Sequence, residues 1–100
     1  MKKSDKLEIS LNTLISRIPD LIFNEIDNEV VILSVNNEEY YNLNSVGAVI
    51  WSLIASPISF EDILRKLIEQ FDVDKETCRK ETLDYIQELS DLGIIHLTND

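Results

Sequence analysis

The sequence predicts an α+β domain of the winged helix-turn-helix kind, with a three-stranded antiparallel sheet followed by three helices. Three observations predict it. Val30–Val35 is a β-branched apolar run, Asn36-Asn37 is a turn signal, and Glu39–Leu43 is a second strand run carrying two tyrosines. Three stretches with helical apolar spacing follow, each preceded by a capping residue. A short apolar run, Ile94–Leu97, closes the chain and would serve as the wing.

The elements follow in order. Leu7–Ile18 mixes periods of two and of nearly four and takes no assignment. Pro19 blocks helix continuation and pushes Ile18 towards extended geometry. Leu21–Ile26 reads as the first strand, Asp27-Asn28 as a turn, and Glu29–Val35 with Glu39–Leu43 as the rest of a meander. Asn44 caps a helix over Ser45–Ala55, whose stripe is Val46, Val49, Ile50, Leu53 and Ile54. Ser59-Phe60-Glu61-Asp62 is a capping box, with Asp62 reaching back, for a helix burying Ile63, Leu64, Leu67, Ile68 and Phe71. Asp74 caps the third helix, from about Lys75 to Leu92, which Gly93 ends. Its wide stripe is Cys78, Thr82, Leu83, Tyr85, Ile86, Leu89 and Leu92.

The chain has 100 residues, which fits one domain over 1–100 with its core at about 17–97. With 44% hydrophobic residues it can bury a small core. Its single cysteine, Cys78, excludes an internal disulfide and a zinc site built on cysteines, and fits a reducing cytosol. The basic start Met-Lys-Lys-Ser-Asp-Lys is not followed by a signal-peptide apolar run, and no stretch approaches the ~20 apolar residues of a membrane span. A cytoplasmic location is expected.

Net charge is −10, and its distribution is uneven. Between Ile18 and Leu64 no lysine or arginine occurs, while Asp20, Glu25, Asp27, Glu29, Glu38, Glu39, Glu61 and Asp62 all fall there. The bland account is a solvated surface; the sharper one is a field that attracts a basic peptide. Phosphate binding needs positive charge on the contacting surface. The third helix sets Lys75, Arg79 and Lys80 against Asp74, Glu76, Glu81, Asp84, Glu88 and Asp91, so a DNA backbone repels it on balance.

Candidates for chemistry are few. His96 is the only histidine and sits on the terminal strand; general-base work would need a partner beside it. Cys78 reads first as a small buried hydrophobe and second as a groove-lining residue. No EF-hand loop, P-loop or dinucleotide fingerprint occurs, so no metal or cofactor is expected. Asn44-Ser45-Val46 at a helix start has a faint likeness to the serine of an acyl carrier protein, but the strand run from Val30 to Leu43 contradicts a four-helix carrier. Tyr40 and Tyr41 are adjacent on a strand and so face opposite sides. Tyr41 shares a face with Leu43, towards the core; Tyr40 shares one with Asn42, towards solvent. A hairpin with an open edge beside a helical layer suits peptide capture by strand addition better than catalysis.

Glu39-Tyr-Tyr-Asn-Leu-Asn-Ser-Val-Gly-Ala-Val-Ile-Trp51, then Ser59-Phe-Glu-Asp-Ile, then Tyr85-Ile-Gln-Glu-Leu with Leu92-Gly-Ile-Ile95, resembles the PqqD-like family. These are the precursor-peptide recognition elements of ribosomally made, modified peptides. The likeness covers roughly residues 17–96, and the order and spacing of the motifs carry it. It implies a leader peptide added as a strand along Glu39, Tyr40, Tyr41 and Asn42, in the cleft beside Cys78, Thr82, Tyr85 and Leu89 of the third helix. The implied function is non-catalytic presentation of a precursor to a separate processing enzyme, chiefly the cysteine protease and cyclase of a lasso-peptide pathway. The alternatives are a partner of a radical SAM peptide-modifying enzyme and a winged-helix transcription regulator.

Overall fold

The computed structural model describes residues 8–34 and 38–99. Four strands come first: β1 (Leu14–Arg17), β2 (Ile22–Ile26), β3 (Glu29–Ser34) and β4 (Glu39–Leu43). Helix α1 (Ser45–Leu53) follows, then the two-residue strand β5 (Ile58–Ser59), helices α2 (Phe60–Gln70) and α3 (Lys75–Leu92), and strand β6 (Ile95–Thr98). The expected turn at Asn36-Asn37, the Val35 end of its strand and residues 1–6 lie outside the described residues.

The strands form two antiparallel sheets. One is the expected meander, β2-β3-β4, with Ile32 opposite Phe23 on one side and Tyr41 on the other. Asp27 opens the β2–β3 turn with φ of 56°, a left-handed conformation that aspartate tolerates better than most residues. The second sheet, β5-β1-β6, was not foreseen. It corrects the expected order of one sheet followed by three helices: β1 precedes the meander and β5 falls between the first two helices. The terminal strand is not a wing on the meander, because β6 pairs with β1, from Leu14 opposite Thr98 to Arg17 opposite Ile95. Strand β1 is short and central, and its partners lie more than forty and more than seventy-five residues away in sequence, so its local pattern is weak.

The helices start and stop where their caps dictate. Gly47 N–H donates to the Asn44 side chain, Asp62 N–H to Ser59 Oγ, and Thr77 N–H to Asp74, at 3.0, 3.1 and 3.0 Å. The reciprocal half of the expected capping box is replaced, because the Asp62 carboxylate sits 2.7 Å from Arg65 in an i,i+3 ion pair. Gly93 takes φ of 78° and ends α3 in the left-handed conformation typical of a glycine C-terminus.

The core lies between the two sheets and the helices. Ile15, Val30, Ile32, Ile50, Trp51, Ile54, Ile63, Ile86 and Ile94 are fully buried. On α1 the buried stripe is Gly47, Ile50, Trp51 and Ile54, not the stripe through Val46 and Val49 that spacing alone predicts. Burying the large Trp51 ring outweighs burying a valine and sets the helix rotation. Val46 is thereby left exposed at the start of α1.

Arg17 ties the layers together. Its guanidinium lies 4.6 Å from the Phe23 ring centroid and 4.7 Å from that of Trp51. Nε and Nη2 both donate to the Trp51 carbonyl, at 3.0 and 2.7 Å. That carbonyl belongs to the last turn of α1, where a cation offsets the helix dipole. Burial holds the Arg17 pKa below its ordinary value, and the charge of Glu25 works the other way. At the far end of β1, fully buried Thr13 hydrogen-bonds through Oγ1 to Asn99 Oδ1, and Asn99 Nδ2 donates to the Glu8 carbonyl at 3.1 Å.

Candidate functional site

Strand β4 is an edge: β3 pairs with it on one side, and no described strand pairs with it on the other. Alternation along it is as the sequence predicts. Tyr41 is half-buried and Leu43 buried on the face towards α1, while Tyr40 is 72% exposed and Asn42 exposed on the opposite face. The Tyr41 hydroxyl donates to the Glu39 carboxylate at 3.1 Å, which pins the ring along the strand.

A groove of about 290 Å³ opens beside Asn44, the residue that follows β4. One wall is α3, through Cys78, Glu81, Thr82 and Tyr85. The other is α1, through Val46 and Ile50. Leu67, Phe71 and Val73, from the end of α2 and the loop after it, complete the lining. Apolar side chains dominate, with Glu81 the only charged residue among those that line it. Apolar lining with a few placed polar groups is the usual make-up of a binding cleft.

The helix wall is regular because Cys78, Thr82 and Tyr85 recur at i, i+4 and i+7 on one face. The Cys78 thiol lies 3.8 Å from Thr82 Oγ1, and both residues are buried in this helix wall. Tyr85 is half-buried. Its pKa is pushed up to about 12, first by burial and then by the nearby charge of Glu88, so the phenol stays protonated and can donate a hydrogen bond. Leu89, one turn further on, is only 1% exposed; it belongs to the core and does not line the groove. The resemblance implied it as a cleft residue, and its burial places it in the core instead.

Three of the expected helix residues thus gather in one groove, whose near end is the end of the expected strand. Val46, Phe71 and Val73 were missed. Val46 and Val73 are 40% and 43% exposed, which is high for valine and marks them as groove rim. Val73 carried one signal in the sequence, as an isolated apolar residue between Asp72 and Asp74 in a loop.

A larger hollow of about 580 Å³ lies between α2 and α3. Only helix residues line it, and its charges of both signs balance, with Glu61, Glu69 and Glu76 against Arg65, Lys75 and Arg79. It has neither a strand edge nor an uncompensated charge. Among the described residues, no group of three or more His, Cys, Asp or Glu side chains could hold a metal ion, and no helix is long and apolar enough to cross a membrane. His96 is exposed on β6, opposite Ser16.

Taken together, the architecture is a small α+β domain with an open sheet edge leading into an apolar groove walled by helices. The chain belongs to the PqqD family: residues 29–95, from the start of β3 into β6, match the family model described as Coenzyme PQQ synthesis protein D (PqqD). Among solved structures it is similar to one described as TbiB1 in complex with the TbiA(beta) leader peptide. The two share 26% sequence identity with a TM-score of 0.77, over 85% of this chain and 99% of that one. Among curated proteins none matches.

Proposed function

We propose that this chain binds the leader segment of a ribosomally made precursor peptide and presents it to a separate processing enzyme. The observation that carries the reading is the unpaired edge of β4 leading into the groove of Cys78, Thr82 and Tyr85. The family, and a similar structure that holds a leader peptide, support it. The peptide adds as a strand along Glu39–Asn42, so that main-chain hydrogen bonds supply affinity and the groove supplies selectivity. A short strand docked this way fits a Kd in the micromolar to nanomolar range, about −8 to −12 kcal/mol.

The chain supplies no chemistry of its own in this reading. Its contribution is effective concentration: a precursor held on β4 meets an active site carried by another subunit. A lasso-peptide cysteine protease is the partner we favour, in the cytoplasm, with a radical SAM peptide-modifying enzyme as the alternative. DNA binding is disfavoured because α3 is acidic on balance and its Arg79 is engaged with Glu76 at 3.5 Å.

The test is titration of the labelled leader peptide into the wild-type chain and into Tyr85→Ala. Wild type should bind in the stated range and the variant about tenfold or more weaker. Absence of wild-type binding, or equal binding by a folded variant, would overturn the reading. Retention of a DNA duplex in a low-salt gel shift would point to the regulator instead.

A further inference from the structure

The meander has a second face. Its inner side packs on α1, but its outer side carries Ile22 and Ile26 from β2, Val31 and Leu33 from β3, and Tyr40 from β4. The register places them together: Ile22 opposes Leu33, which opposes Tyr40 in turn, while Val31 lies between Asn24 and Asn42. Ile22, Ile26 and Tyr40 are 57%, 58% and 72% exposed. In a chain with 28% charged residues, the centre of this face holds none. Such a patch, apolar and amide-bearing with a tyrosine, has the composition of an interface core.

The border that the meander itself supplies is acidic. Asp27 and Glu29 flank one end of the meander, and Glu38 and Glu39 the other, in a stretch that has no lysine or arginine between Ile18 and Leu64. A second copy of the chain is a poor occupant, since a two-fold contact through this face would set like-charged rims against each other. Three strands spaced about 4.8 Å apart also make a narrow face, suited to a transient contact.

We propose that the outer face of β2-β3-β4 is the docking surface for the processing enzyme, through an enzyme patch that is apolar at its centre and bordered by lysine and arginine. The inference rests on the presenting role proposed above and names the surface through which it operates. It leaves the β4 edge and the groove free, because the outer face and the edge are different sides of the same strand. Electrostatic attraction between the rims steers the enzyme, and the apolar centre holds it.

The experiment uses the full chain, the leader peptide and a purified leader-processing cysteine protease. The double variant Ile22→Lys/Ile26→Lys places cations on exposed positions of β2, outside the groove. It should keep the wild-type melting temperature and leader affinity, yet bind the enzyme about tenfold or more weaker. Ile22→Val/Ile26→Val should bind enzyme like wild type. Unchanged enzyme affinity in the lysine variant, or no enzyme binding by wild type, would overturn the proposal. So would a wild-type dimer in sedimentation that the lysine variant dissociates. Loss of leader binding by wild type, with enzyme binding intact and sensitive to the lysines, would sink the leader reading alone.

Discussion

A β-carbon on Gly47 would stand 2.0 Å from the Tyr85 hydroxyl oxygen and 3.0 Å from Leu43 Cβ. The absence of a side chain in the first turn of α1 is what admits the phenol of α3. Gly47 therefore sets the distance between the two walls of the groove, although it lines neither.

Gly47→Ala should displace the Tyr85 ring and weaken leader binding by about tenfold. It should lower stability by about 0–2 kcal/mol, because two terms oppose: alanine gains up to about 1 kcal/mol of helix propensity, and the overpacking costs about 1–3 kcal/mol. Calorimetric titration beside a denaturant melt separates the two. A variant that binds like wild type would show that the position of Tyr85 does not govern the groove.

Tyr85 also makes stability depend on alkaline pH. The unfolded chain releases this proton near pH 10, whereas the folded chain holds it to about 12. Between those values the folded state binds more protons, so stability is full below pH 10 and falls as pH rises towards 12. Tyr85→Phe lacks the term and should show a flatter dependence of its denaturation midpoint across that window. Equal slopes for variant and wild type would count against a buried phenol.

Helix α3 was legible to the residue, because Asp74 and Gly93 are local signals and the apolar spacing between them is long. Strand β4 was legible for a similar reason: its tyrosines lie between turn residues and a capping asparagine. Strand β1 was not, since Leu14–Arg17 owes its strand geometry to β5 and β6, which are distant in sequence. The groove was legible on its α3 side only. Val46 lines it because Trp51 claims the buried face of α1, and that competition is decided by tertiary packing, which spacing does not encode.

The edge hypothesis predicts an alternating proline scan. Successive N–H groups on a strand point to opposite sides, so among Tyr40, Tyr41 and Asn42 some point to β3 and others to the open edge. Proline at an edge-facing position should leave the chain folded and abolish leader binding. At a β3-facing position it should remove a ladder bond and cost about 1–3 kcal/mol of stability. Circular dichroism with leader titration reads both outcomes. Three folded variants that all bind would place the peptide elsewhere.

Steering predicts a salt effect confined to association. With no base between Ile18 and Leu64, and with Glu25, Asp27, Glu29, Glu38 and Glu39 on its strands and turns, the meander carries an acidic field. Association of a lysine-bearing leader should slow as ionic strength rises, while dissociation changes less. Stopped-flow traces at low and high salt decide it, and equal association rates would reduce the charge to a solubility feature.

The proposal that this chain supplies no chemistry of its own can be tested on its cysteine and its histidine together. Cys78 is buried beside Thr82 on α3, and His96 is exposed on β6, the strand that follows α3. In a Cys78→Ser/His96→Ala double variant the serine hydroxyl keeps Thr82 as a neighbour, so the expected loss of stability is modest, about 1–3 kcal/mol for burying the more polar group. Leader affinity should change little, because serine preserves the shape of the groove wall. Processing of full-length precursor by the purified partner enzyme should be accelerated equally by wild type and variant. Cleavage or modification by this chain alone would contradict the presenting role. So would loss of the acceleration in a variant that still binds the leader, since one of these two side chains would then take part in the reaction itself.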